Sequence, residues 1–125
     1  MMTTTLVTHN YTFRNALDHS KRVAWTEDDV LNGRQFDLSK RFLPNRLSGV
    51  DDIECLNEDE KRKLNQIMGN AYFHLFAFVE EYIIATAVQH AQAEMHGDHH
   101  AIRALVRFAD EEVKHQQLFW RYLEA

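Results

Sequence analysis

From Glu58 to Met95 the chain runs without a proline and with a single glycine, Gly69, and from His99 to Glu124 it contains neither. Both stretches are rich in Leu, Phe, Ala, Ile and Gln, all compatible with a long helix. Asn57 followed by Glu60 reads as a capping-box start. Between the two stretches, Gly97 is a natural residue just past a helix C-terminus and Asp98 a natural N-cap for the second helix. The spacing therefore predicts two long helices, over about 58–95 and 98–124. A turn that short forces them antiparallel.

The rest of the chain serves this hairpin. Residues 1–24 are polar with little periodicity and are expected to be irregular. Thr26 as N-cap, Asp29 three residues on and Gly33 as a stop predict a short helix near 27–32. Residues 34–56 carry Leu43-Pro44 and Ser48-Gly49 and read as a long connection wrapped around something. With one Pro and four Gly among 125 residues, a turn-rich β-sandwich is excluded. An all-α unit over 25–125, preceded by an irregular segment, is the expectation. Apolar residues make up 45% of the chain, with eight Phe, four Tyr and two Trp, a composition that folds rather than stays disordered.

Charge and cysteine usage remove several function classes. The net charge of −5 and pI near 5.9 leave no basic face for nucleic acid. Cys55 is alone, so neither an intrachain disulfide nor a cysteine-based zinc site is available. The opening MMTTTLVTHNYTF is not a signal peptide, since no basic segment precedes an apolar run. The most apolar window, 71–88, is interrupted by His74, Glu80 and Glu81, so no membrane span is expected. A soluble protein of the reducing cytoplasm is the expectation.

One stretch resists a purely structural reading. In FADEEVKHQQLF, 108–119, three acids and a histidine lie between aromatic residues that call for burial. Counted from the turn, Glu81 and Glu112 fall at the same height, ~20 Å above it at about 1.5 Å per residue. His115 is one turn beyond Glu112 on the same face. The hairpin can thus set one Glu level with a Glu-x-x-His, half of the ligand set of carboxylate-bridged di-iron and di-manganese bundles. Glu112 shares a stripe with Leu105, Phe108, His115, Phe119 and Tyr122, and Glu81 one with His74, Phe78, Ile84, Ala85 and Val88. A buried carboxylate without a partner costs several kcal/mol, about the amount a bound cation removes. Carboxylate and imidazole suit iron or manganese.

Blander readings stand beside this one. A lone Glu-x-x-His is common on helix surfaces as a weak ion pair. Glu80 either replaces Glu81 or faces solvent, and Glu111 reads as an outer neighbour. His74 is an ordinary core histidine or a supporting donor, and His96, His99 and His100 form a solvated turn. Arg103 and Arg107 face solvent or pair with nearby acids. Trp25 and Phe36 are packing residues of the wrapping segment.

From Trp25 to its end the chain resembles the N-terminal half of a ferritin-like di-iron oxygenase, of the group that includes the p-aminobenzoate N-oxygenase-like proteins. The segments that carry the resemblance are LNQIMGNAYFHLFAFVEEYI (64–83) and RFADEEVKHQQLFWRY (107–122). It implies a four-helix bundle, two metal ions and activation of O2, with Glu81, Glu112 and His115 as metal ligands. Such proteins carry a second Glu and a second Glu-x-x-His, and this sequence has neither. Either the chain is a truncated or split member, or two copies complete the set across a two-fold axis, as in half-size ferritin-like proteins. A homodimer or a missing C-terminal half is therefore the expected partner, with O2 and a small molecule of unread identity as substrates. A dimeric ferroxidase and an inactive helical interaction module are the alternatives.

Overall fold

The computed structural model of the chain describes residues 11–124. Every regular element among them is helical: α1 (Phe13–Arg22), α2 (Glu27–Leu31), α3 (Asn45–Ser48), a 3-10 turn (Val50–Asp52), α4 (Glu58–Ala93) and α5 (His99–Glu124). The long helices α4 and α5 pack along each other, with α1 and α2 both laid against α5. Paired positions such as Ala77 with Gln116 and Phe73 with Tyr122 show that the hairpin is antiparallel.

The predicted caps form. Asn57 accepts from Glu60 N while the Glu60 carboxylate accepts from Asn57 N, and Thr26 and Asp29 make the same reciprocal pair at the start of α2. Asp98 accepts from His100 N at 2.8 Å. Gly97 is used differently from the expectation. It does not take the left-handed conformation, which among glycines falls to Gly33 and Gly49. Instead a Cβ on Gly97 would meet Glu94 Oε2 at 2.8 Å, so the glycine leaves room for that carboxylate, which lies 3.4 Å from Asp98 N.

Two expectations about the upstream chain change. Residues 13–22, expected to be irregular, are helical: Thr12 caps α1 through Asn15 N, and Leu17 is buried against α5. α1 is amphipathic at helical spacing, and Leu17 is the one side chain it buries. Residues 1–10, the remainder of the segment read as irregular, lie outside the described residues. The connection 34–56 does wrap the hairpin, and a side chain the sequence reading passed over ties it down. Asn65 of α4 is fully buried. Its Oδ1 accepts from Phe42 N and Leu43 N at 2.8 and 2.9 Å, and its Nδ2 donates to Leu43 O and Ser48 Oγ at 2.8 and 3.0 Å. Gln66 adds bonds to Leu38 O and Lys40 O. Phe36 then stacks on Phe42 and meets Phe73 and Tyr122 at the open end of the hairpin.

The hairpin interface is made of small residues. Ala77, Ala87 and Ala91 of α4 and Ala101, Ala109 and Glu112 of α5 are its buried positions, while Gly69 is buried beneath Phe42 of the wrapping segment. Toward the open end aromatic side chains cross the interface, Phe73 against Phe119 and Tyr122 and Phe76 against Phe119, while Leu75, Phe78, Val79, Tyr82 and Val88 of α4 are exposed, Phe78 by 53% and Tyr82 by 62%. α4 contains an 18-residue stretch of mean hydropathy 1.3 with no more than two charged residues, long and apolar enough by length and composition alone to cross a membrane.

Candidate metal centre

Glu80 lies on the stripe of α4 that faces α5, three residues beyond buried Ala77 and seven before buried Ala87. Glu112 and His115 stand one turn apart on α5 opposite it. The Glu80 and Glu112 side chains are only 12% and 10% exposed, and His115 39%. His115 Nδ1 sits 2.9 Å from Glu112 Oε2 and 3.6 Å from Glu80 Oε1. One donor atom from each of the three lies within 4.8 Å of the others. The second Glu80 oxygen, Oε2, is buried without a hydrogen-bond partner. Burial pushes the Glu80 carboxyl from its ordinary 4.5 up to about 7; hydrogen bonding to Glu112 and the charge of Glu112 add to the rise, and His115 opposes it.

The surrounding side chains separate this cluster from its neighbours. Glu111 points away, held by Arg107 at 2.9 Å and by Lys114 at 3.1 Å. Lys114 also donates to Trp25 O at 3.3 Å and lies over the Trp25 ring. The Trp25 indole stacks on the His115 imidazole, centroids 5.5 Å apart and planes inclined by 19°. The wrapping segment thus holds the ring plane of the one nitrogen donor. Between α1 and α5 lies a cavity of about 730 Å³, walled by Leu17, Val23, Trp25 and Phe108 and reaching Glu112 and His115.

Glu112 and His115 come together as the spacing predicts, but Glu81 does not join them. It is exposed, and its Oε1 lies 3.5 Å from Gln116 Nε2. Height along the helix cannot separate adjacent residues; azimuth does, because each step turns about 100°. Of the stripe expected for Glu81, which holds His74, Phe78, Ile84, Ala85 and Val88, only Ile84 is part-buried; the others and Glu81 itself are exposed. The true interface is one residue out of phase and is built from alanines. For the same reason His74 is no core histidine: it is exposed and meets Trp120 edge-on. Glu111 as an outer neighbour, Arg107 paired with local acids, and a solvated His96, His99 and His100 all hold.

A divalent ion suits these donors. Ligand atoms at right angles on an ion with bonds of about 2.0–2.2 Å are roughly 3 Å apart, close to the 2.9 and 3.6 Å found here. Two carboxylates balance one divalent charge, and the unpartnered Glu80 Oε2 gains a partner. Oxygen with imidazole nitrogen favours iron, manganese or a similar borderline ion over soft ones. No family model, curated protein or solved structure matches the chain, so the functional reading rests on the cluster itself.

Proposed function

We propose that this chain supplies half of a ferritin-like di-iron carboxylate centre of the O2-activating oxygenase or oxidase type, completed across a two-fold axis by a second copy. The observation that carries the reading is the convergence of Glu80, Glu112 and His115, two of them nearly buried acids, with one carboxylate oxygen left unpartnered. Two copies bring two lone Glu residues and two Glu-x-x-His pairs, the full set of such bundles. Iron is the proposed metal, with manganese compatible with the same donors. When bound, the metal pair supplies electrons for the reduction of O2.

The chain's own residues have definable tasks. Glu80 and Glu112 hold the cation and balance its charge. His115 offers Nδ1, and Trp25 fixes the plane of its ring. α1 and the indole flank the site on one side and leave beside Glu112 and His115 a cavity that is open to solvent. The cavity beside Glu112 and His115 favours an oxygenase with an organic substrate over a ferroxidase, which needs only an ion path. The second copy would lie over the open side of the cluster, where His115 is part-exposed, in a soluble cytoplasmic dimer; the exposed Phe78 and Tyr82, each about 160° around α4 from Glu80, form a separate apolar surface. The same surface favours the rival reading, a helical interaction module without chemistry.

The test is metal per chain, by elemental analysis, across the size-exclusion peak of protein made in iron-supplemented cells. About one iron or manganese per chain in a dimer peak is expected, as the symmetric ligand set requires, and Glu80→Ala or Glu112→Ala should remove it. A metal-free dimer, or unchanged metal in Glu112→Ala, would leave the interaction module standing instead.

A further inference from the structure

We propose that the face of α4 turned away from α5 pairs with the same face of a second copy, antiparallel about a two-fold axis, at a surface apart from the metal centre. The proposal goes beyond the di-iron reading and does not rest on it, because the pairing needs no metal.

Met68, Ala71, Leu75, Phe78, Tyr82 and Ala85 follow one another in alternating steps of three and four, the spacing of a coiled-coil seam. At about 100° per residue they lie on the side of α4 opposite Glu80 and Ala77. All but Met68, which is part-buried, are exposed, and none is charged. A seam of this kind calls for another helix, and the order of sizes along it says which one. Laid antiparallel with Leu75 against Phe78 of the second copy, the row sets Ala71 against Tyr82 and Met68 against Ala85. Bulk then meets space on both sides of the central layer, and the two-fold axis repeats each pair. The flanking residues agree with this register. Along one edge His74 falls opposite Glu81 of the second copy, and Ile67 opposite Val88. Ile67 and Val88 are large apolar side chains left exposed in the single chain. His74 and Glu81 are exposed too, and within one chain they stand roughly 10 Å apart along the helix, too far to pair. Glu81 otherwise has an approach to Gln116 Nε2 at 3.5 Å. A parallel arrangement sets Phe78 on Phe78 and leaves His74 beside Val79 and Glu81 beside Thr86, matching neither size nor charge. A lipid surface has no use for a row whose sizes and charges repeat in reverse about the point between Phe76 and Ala77. That self-complementarity selects a second copy.

The experiment is sedimentation equilibrium of the full chain, stripped of metal with EDTA, over a concentration series. The series matters because a pairing that no metal holds comes apart at the dilution of a size-exclusion column. A reversible monomer–dimer equilibrium is expected. Ala71 is exposed, so Ala71→Glu removes no packing from the single chain. It should weaken the pairing more than about tenfold by setting a charge against Tyr82 of the second copy, with the far-ultraviolet circular dichroism intact. Asn70→Glu, its neighbour off the seam, should change little. His74→Glu should weaken the pairing about fivefold by facing Glu81, and His74→Glu combined with Glu81→Lys should restore it, which the antiparallel register alone allows. A monomer at every concentration would overturn the proposal, as would a dimer indifferent to Ala71→Glu or a double variant that pairs no better than His74→Glu. Flotation with phosphatidylcholine vesicles in place of self-association, abolished by Ala71→Glu, would give the face to lipid and overturn it as well.

Discussion

In the metal-free protein Glu80 is a carboxyl that the fold prefers protonated, because ionising it exposes a charge to a dry interface beside Glu112. Its folded pKa, about 7, lies above its ordinary 4.5. The stabilising contribution of the protonated form is therefore complete below pH 4.5 and is lost as pH rises through 7. Glu80→Gln keeps the shape and removes the titration. In EDTA-treated protein, urea midpoints for the two forms should match near pH 4.5, and the variant should be more stable at pH 8, by up to about 3 kcal/mol. An equal response of both forms to pH would show that Glu80 is well solvated. Asn65 is the second residue on which much depends. Asn65→Ala strands the amides of Phe42 and Leu43 and the carbonyl of Leu43 in a buried setting. A loss of roughly 2–4 kcal/mol in chemical denaturation is expected, against less than about 0.5 for an exposed site such as Asn70.

At the scale of elements, the two long helices, their caps and their short turn were legible because proline, glycine and capping residues act locally. The face each helix buries was legible for α5, where Glu112 and His115 alternate with apolar residues at helical spacing. It was misjudged for α4, where apolar residues surround the helix and the decisive signal is smallness rather than hydrophobicity. Ala77, Ala87 and Ala91 mark the interface with α5, and Gly69 the contact with the wrapping segment, only once close approach is considered. α1 was legible in principle: it is polar overall but amphipathic, with Leu17 on its buried side. The partner of Asn65 is the main chain of a segment more than twenty residues away, and no periodicity encodes that. Gly69→Ala tests the close approach. Alanine favours an isolated helix by about 1 kcal/mol, yet here its Cβ would meet Phe42 Cβ at 2.9 Å. A net loss of about 1–2 kcal/mol is expected, read as a lowered melting temperature; a rise would mean that the wrapping segment yields freely.

For the whole molecule, the exposed apolar side chains of α4 include a surface apart from the carboxylate cluster: Phe78 and Tyr82 each lie about 160° around the helix from Glu80. Phe78→Asp combined with Tyr82→Asp places charges on that surface without touching the hairpin interface. Association through it should shift toward monomer in sedimentation, while any metal held by the proposed centre should stay unchanged. Loss of metal in this variant would show that the two surfaces are coupled. The alanine-lined interface has another consequence, which concerns sliding. Small side chains interlock weakly, so α4 and α5 resist displacement along their axes chiefly at their ends. The Glu94–Asp98 turn fixes one end, and Phe36, Phe42, Phe73 and Tyr122 fix the other. Glu80 and His115 sit between these anchors and meet only at one setting; a slip of a single helical turn, about 5.4 Å, would part them. The hairpin behaves as a caliper, clamped at both ends, with the gap between Glu80 and His115 as its reading.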